Sequence, residues 1–465
     1  MLNPARQQNG LSKIFILLIL GGIAAIILTV VLVIFQSQKS PPPAKITLNI
    51  WGVWDDTSDL KPIIDAYRRA HPYVNIKYSK IRYEEYEDML LNGWANQPST
   101  GPDIYALPNT WLKKYNTRGF ITPIPKTTSV TNYTTSQIIF KQEVQYQEVT
   151  ENSLTTSDIK RNYVDLVYGD IIQGGKILGL PLGINPLELF YNRNLLDQAH
   201  LVQPPQTWAE FASAVSNMTT IDEQNKIVRA AAALGTSNNI SYPQDILTLL
   251  MLQNGTVMAT GSKIAFDKPS ATDAAYFPGE EALRFYTDFT SPEKAVYTWG
   301  TEMPNALDYF AEGNLAFFFG YPFQEAEIKS KSRGIDYGVA PVPQINPESE
   351  INVANYWVYT VSHKASNKSL AWNFLQFATK AKYVKSYVNS TKQSSALRSV
   401  LQQQILDPDR GPVLQQVLTA QNWYHGSDQQ DADQVLQDMI TSVVTNGTPI
   451  KDALMQAAKK IDKSY

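Results

Sequence analysis

Carboxylates, histidines and glycine-rich turns are the groups in this chain that could carry a reaction, and each set fails the spacing its chemistry needs. Glycoside hydrolysis asks for two carboxyl groups opposed across a sugar at roughly 5–10 Å. Asp55-Asp56 and Glu84-Glu85 are adjacent in sequence and define no such pair. The four histidines, His71, His200, His363 and His425, are scattered, without an HExxH or a paired metal-ligand spacing. No G-x-S-x-G elbow occurs. Gly169 to Lys176, GDIIQGGK, has the glycines of a phosphate loop, but Gly175 stands in the lysine position and Lys176 replaces Ser/Thr. There is no cysteine, which removes disulfides, thiolate metal sites, a cysteine nucleophile and a lipobox together. The chemistry on offer is recognition. Nine Trp, 25 Tyr and 17 Phe exceed what a core alone requires. Aromatic faces suit the C–H patches of pyranose rings, while carboxylates and amides exchange hydrogen bonds with hydroxyls. We therefore expect no catalytic residue, no cofactor and no metal.

The 465 residues are too many for one ordinary domain and comfortable for two. Hydrophobic residues at 43% and charged residues at 18% describe a globular body with ample core. A net charge of −3, with no basic stripe, argues against nucleic acid as a partner.

Ile14 to Phe35 carries no charge over 22 residues. As a helix it would be ~33 Å long, enough for a bilayer core of ~30 Å. Arg6 and Lys13 precede it, so residues 1–13 should stay cytoplasmic and the rest lie outside. A cleaved signal peptide is the alternative, but its apolar region is usually ~7–15 residues and ends at a small-residue site. This stretch exits through Val33-Ile34-Phe35-Gln36 instead. The expectation is an uncleaved anchor at 14–35, then a stiff polar tether at 36–45 containing Pro41-Pro42-Pro43.

The body opens with alternating apolar residues at Ile46, Leu48 and Ile50, a strand. Leu60, Ile63, Ile64 and Tyr67 follow at helical spacing, then a strand at Val74–Tyr78, a helix from Tyr83 to Trp94 and a strand at Ile104–Leu107. That β-α-β-α-β order predicts a parallel sheet covered by helices. Residues 125–173, rich in Thr, Ser and Gln, are too sparse in apolar residues for a firm assignment; helix and loop, or a mobile segment, are both open.

The central stretch Gly175 to Phe211 reads GKILGLPLGINPLELFYNRNLLDQAHLVQPPQTWAEF. Leu187, Leu189, Phe190 and Tyr191 make a buried strand, and Thr207 is a good N-cap for a helix beginning at Trp208. GKILGLP, LFYNRNLL and PPQTWAEF resemble the extracellular solute-binding proteins of ABC importers, the maltodextrin/oligosaccharide-binding cluster. Gly101-Pro102-Asp103-Ile104, Gln253-Asn254-Gly255, Tyr337 to Pro343 and Asn355 to Ser362 resemble further elements of that family. The resemblance covers about residues 46–124 and 174–461. It implies a type II periplasmic-binding-protein-like α/β fold of two lobes joined by hinge crossings: residues 46–186 and 358–405 in lobe 1, 187–357 and 406–465 in lobe 2. It also implies a solute, a sugar or oligosaccharide, held between the lobes, and ABC permease subunits as partners.

The positions at which such relatives contact ligand fall on Trp54, Asp55, Asp56, Asn109, Thr110, Trp111, Asn185, Trp299, Tyr321, Phe323, Trp357, Trp423 and Tyr424. Two departures touch the hinge: Val353-Ala354-Asn355-Tyr356 replaces a Gly-Gly, and Ser395-Ala396-Leu397-Arg398 replaces an LPxR element. A surface sensor or adhesin on the same fold, and an anchored glycosidase, are the alternative readings.

Overall fold

A computed structural model of the chain describes residues 9–37, 43–138, 141–224, 226–332 and 334–465. The alternating residues of Ile46–Gly52 and Val74–Lys80 pair in parallel, from Ile46 opposite Val74 to Gly52 opposite Lys80. Ile104–Pro108 lies parallel on the other side of the first strand, and Trp357–Val361 closes the sheet antiparallel to it. Helix Thr57–Ala70 buries Leu60, Ile63, Ile64 and Tyr67, the face its 3.6-residue period marks. Helix Tyr83–Ala95 buries Tyr86, Leu90 and Trp94.

A second sheet runs in the order Thr220–Ile221, Ile227–Ala232, Leu315–Gly320, Glu188–Asn192, Tyr337–Pro341. Its central strands, LAFFFG and ELFYN, are buried almost throughout, which is why they read as continuous apolar runs. Thr207 caps helix Trp208–Met218 in a reciprocal box. Its hydroxyl accepts from the Glu210 N–H at 3.1 Å, and the Glu210 carboxylate accepts from the Thr207 N–H at 3.3 Å.

Two separate apolar cores result. One draws on residues between Leu48 and Ile184 and between Ala354 and Ala420; the other on Leu187 to Val353 and Tyr424 to Ile461. Leu414, Val417 and Ala420 pack with the first core, although the expected division assigned residues from 406 onward to the second lobe. The chain crosses between cores at 184–187, 353–354 and 420–424. These crossings pair with one another: the strands Ser394–Ser395, Gly183–Pro186, Asn352–Asn355 and Ala420–Gln421 form a small four-stranded sheet between the lobes. Gly179 has a local reason to be glycine. A Cβ there would lie 2.4 Å from Val358 and 2.7 Å from the Tyr359 carbonyl, so only glycine lets this loop press against the returning strand.

Residues 127–152 fold neither as helix nor as an unstructured segment. Thr127–Ile138 and Lys141–Asn152 form a two-stranded antiparallel hairpin, with Val130 opposite Val149 and Tyr133 opposite Tyr146. β-Branched Thr and Val and these cross-strand pairs favour the extended chain. Period-2 apolar alternation is weak because covered positions of the first strand are filled by polar Thr128, Ser129 and Asn132 beside Val130. It docks on helix Lys368–Ala378, where the Ser129 N–H donates to Ser369 Oγ at 2.7 Å. Helices Thr156–Asn162 and Asp165–Ile171 follow.

Asn9–Ser37 is one helix. Side chains are described over Phe15–Thr29, and the large apolar ones among them are exposed. Among the described residues no helix is long and apolar enough to cross a membrane, so the structure does not show the anchor expected at 14–35. Residues 1–8 of the expected cytoplasmic tail and 38–42 of the expected tether lie outside the described residues.

Arg410 links the lobes electrostatically. It donates to buried Glu188 on the second-lobe strand at 3.0 Å and to Glu325 at 2.9 Å. Burial pushes the Glu188 carboxyl up to about 8, with the Arg410 charge opposing that shift. Above pH 8, where Glu188 is ionised, Arg410→Met should therefore leave it buried without a counter-charge and cost about 3 kcal/mol in urea unfolding. An unchanged unfolding midpoint would show that the ion triad contributes nothing to the joint.

Candidate functional site

A groove of about 340 Å³ lies between the two cores, walled by loops at the ends of strands from both lobes and by the crossings. Chain entering the first wall leaves strand Ile46–Gly52 through Gly52-Val53-Trp54, which carries Trp54 into the open with half its surface exposed. Strand Leu315–Gly320 in the second lobe ends in Tyr321-Pro322-Phe323. Trp54 and Phe323 stack across the gap, with ring centroids 5.9 Å apart and planes 13° off parallel. Tyr83 stacks on Trp54 at 5.9 Å, and Trp357 of the returning strand meets it edge-on at 6.3 Å. Tyr321 lies parallel to Phe323 at 5.7 Å, and Tyr242 sits edge-on to Tyr321 at 5.0 Å. The groove thus has flat aromatic faces supplied by both lobes and the hinge, the geometry that buries apolar ring faces of a solute.

Asp170 anchors the hinge side. It accepts from Asn109 Nδ2 at 2.8 Å, the Tyr356 hydroxyl at 2.9 Å and Asn422 Nδ2 at 3.4 Å. These donors come from the end of the third strand, the second crossing and the third crossing. Burial pushes the Asp170 carboxyl up, and the three hydrogen bonds hold it back.

On the second-lobe wall, Asp245 in the first turn of helix Pro243–Gln253 and Asp433 on helix Gln429–Val444 lie close enough to repel. Asp245 accepts from the Tyr321 hydroxyl at 2.6 Å, and Asp433 from Gln429 Nε2. Burial pushes Asp245 up to about 6; burial and then the Asp245 charge push Asp433 well up.

Eight of the thirteen expected residues line this groove: Trp54, Asn109, Thr110, Trp111, Tyr321, Phe323, Trp357 and Trp423. Five lie off it. The Asp55 carboxylate is turned inward to the hydroxyls of Tyr387, at 2.6 Å, and Tyr359, and burial pushes its pKa up. Asp56 precedes helix Thr57–Ala70 as its N-cap and pairs with Lys80 at 2.8 Å on the surface. Asn185 faces Asn355 across the hinge pairing, its Nδ2 donating to Asn355 Oδ1 at 3.3 Å. Trp299 is wholly buried in the second core, its indole N–H donating to Asn239 at 3.0 Å. Tyr424 is buried beside Trp423, with its hydroxyl bonded to the Ser464 carbonyl at 3.2 Å. Asn109 reaches the groove, but its amide is already committed to Asp170.

Tyr83, Tyr242, Asp245, Asn422, Gln429 and Asp433 line the groove without having been anticipated. Tyr83 and Asp245 sit in first helical turns, where sequence reads them as helix residues. A larger concavity, about 940 Å³, lies beside the hairpin, but its walls all come from the first lobe, so lobe movement would not enclose a solute there.

Comparison with known proteins agrees with this architecture. Residues 62–409 match the family described as bacterial extracellular solute-binding protein. A galactooligosaccharide-binding protein of Bacillus subtilis is 22% identical over 369 residues, covering 75% of this chain and 73% of the relative. A solute-binding protein of an ABC transporter from Thermotoga lettingae, solved with alpha-D-tagatose, superposes with a TM-score of 0.65 at 19% identity, covering 90% of this chain and 99% of that one. A cyclo/maltodextrin-binding protein complexed with maltotetraose gives a TM-score of 0.68 at 18% identity, over 91% of this chain and 98% of its own. All three are binding proteins, and the likeness of the two structures is one of fold.

The raised Asp245 pKa predicts a pH dependence. The folded state holds this proton more tightly than the unfolded chain, whose Asp titrates near 3.9, so the proton-linked stability is present below about pH 4 and lost as pH rises through about 6. Between pH 5.5 and 7.5 the ligand-free protein should lose about 1 kcal/mol through this pair, read from thermal melting. Asp433→Asn, which removes the carboxyl that burial and the Asp245 charge keep protonated, should flatten that slope. An identical slope in the variant would contradict the coupling.

Proposed function

Since the chain belongs to the bacterial extracellular solute-binding proteins, we propose that it is the extracytoplasmic solute-binding subunit of an ABC importer. In this reading it captures a sugar or oligosaccharide between its lobes and delivers it, by lobe closure, to a membrane permease. The observation that carries the reading is the aromatic wall. Trp54 from one lobe and Phe323 from the other face the same groove, with Trp357 of the hinge at right angles. Pyranose rings present apolar faces to such surfaces and hydroxyls to the amides beside them, here Asn355 and Gln421. Relatives named for galactooligosaccharide and maltodextrin binding support the same class of solute.

The anchor belongs to the proposal as well. The uncharged run Ile14–Phe35 falls within the continuous helix Asn9–Ser37, and Arg6 and Lys13 on its N-terminal side orient the body outward. Single-pass attachment would keep a captured solute beside the permease.

Both apolar cores begin at Leu48 or later, so residues 44–465 should fold without the N-terminal helix. A saccharide that fits should raise the melting temperature of this body by mass action. Trp54→Ala, at a half-exposed site whose truncation asks little of the core, should weaken that saccharide about tenfold or more in calorimetry. Stabilisation by amino acids or peptides alone would overturn the sugar assignment. Stimulation of the permease's ATPase by the loaded protein separates import from sensing.

A further inference from the structure

The second-lobe wall of the groove is rich in acceptors and poor in charge to balance them. Asp245 and Asp433 are brought together there by two helices, and each already accepts from a protein donor, the Tyr321 hydroxyl and Gln429 Nε2 respectively. Having turned its nitrogen to Asp433, the Gln429 side chain leaves its own Oε1 buried with no donor. Among the described residues, no lysine, arginine or histidine forms an ion pair with either carboxylate, and none supplies a charge that lowers either pKa. The N-termini of the two helices offer partial positive charge, at most about half a unit each, which does not neutralise two carboxylates.

Neutral hydroxyls answer this wall poorly. Each O–H supplies one proton and no charge, so in the closed groove the two carboxylates would have to repel each other or keep a proton of their own. An ammonium group supplies up to three N–H donors and a full positive charge, and charge-assisted hydrogen bonds are roughly twice as strong as neutral ones. A metal ion is a weaker match, because among the described residues no cluster of three or more His, Cys, Asp or Glu could ligate one. The aromatic rings of Tyr242, Tyr321 and Phe323 close in around the same end of the groove, and ring faces attract cations.

We propose that the solute carries a protonated amine, an amino saccharide in place of a neutral one, and that this amine is held by the carboxylates of Asp245 and Asp433 and by Gln429 Oε1. The inference rests on the saccharide reading of the groove and narrows it to a charged class. It assigns the two carboxylates a shared role that neither has alone, since one carboxylate would pair with the amine while the second would hold its remaining donors.

The test is titration calorimetry on the full chain in detergent micelles at pH 6.5, where sugar amines carry a proton and Asp245 is largely ionised, with four trisaccharides: glucosamine trimer, its N-acetylated form, cellotriose and maltotriose. The first two share a skeleton and differ in the amine charge. Glucosamine trimer should bind at least about tenfold tighter than the other three, and the advantage should fall to near unity in the double variant Asp245→Asn, Asp433→Asn. Circular dichroism checks that the variant folds, and the wild-type comparison decides the question even where it does not. Neutral trimers binding as tightly as the charged one would overturn the amine inference and leave the saccharide reading standing, with the two carboxylates then sharing a proton between themselves. Survival of the preference in the double variant would also overturn it. Failure of all four trimers to bind would remove the inference together with the reading it rests on.

Discussion

Two apolar cores that satisfy themselves separately, with extended chain crossing between them, are the constraint on which the rest of this structure depends. Leu187 and Val353 belong to one core, while Ile184 and Ala354, their neighbours along the crossings, belong to the other. Because each core is complete, the surfaces that face each other across the join are free to be aromatic and polar. Because the crossings pair with one another, Asn355 opposite Asn185 and Asn352 opposite Ala420, the join has a fixed register. The groove is the space left between two finished halves.

Hydrogen bonds and an ion triad help tie the halves. Asp170 gathers donors from the end of the third strand and from two crossings. Gln416 accepts from the Val342 N–H at 2.9 Å and donates to the Leu187 carbonyl at 3.1 Å, stitching the third crossing to the second lobe. Arg410 reaches Glu188 and Glu325 from the same segment. Directional bonds of this kind hold orientation without a large buried apolar interface, and such an interface between domains permits relative motion.

The fold was legible in the sequence wherever burial is one-sided or complete. The alternation at Ile46–Ile50, the helical spacing from Leu60 to Tyr67 and the LAFFF run each became the element their periodicity specifies. The hairpin of Thr127–Ile138 and Lys141–Asn152 was not, because polar residues such as Thr128 fill its covered positions and its apolar residues are few; its signal was Thr and Val content, which is weaker. The site was legible in part. Trp54, Phe323 and Trp357 follow strand ends, where open α/β sheets leave crevices. Trp299 and Tyr424 looked equivalent by type and position, yet both are packed inside the second lobe. Asp55 and Asp56 stand beside Trp54 in the chain but turn toward Tyr387 and Lys80. Which way a loop side chain points depends on partners elsewhere in the chain, 24 residues on for Asp56 and 332 for Asp55, and no local pattern encodes that. Asp245 and Asp433 show the same limit, since these residues, 188 apart in the chain, meet only after their two helices are packed together.

The central claim is that a solute is enclosed between two halves that move about the crossings. The chain has no native cysteine, so thiols placed at exposed Lys77 in the first lobe and Val228 in the second can be labelled without background. Pulsed electron-paramagnetic-resonance distances between nitroxides at those two positions, recorded with and without a saccharide that raises the melting temperature, measure the motion directly. The account predicts a shorter and narrower distance distribution when the saccharide is bound. A distribution that the bound saccharide leaves unchanged would contradict it.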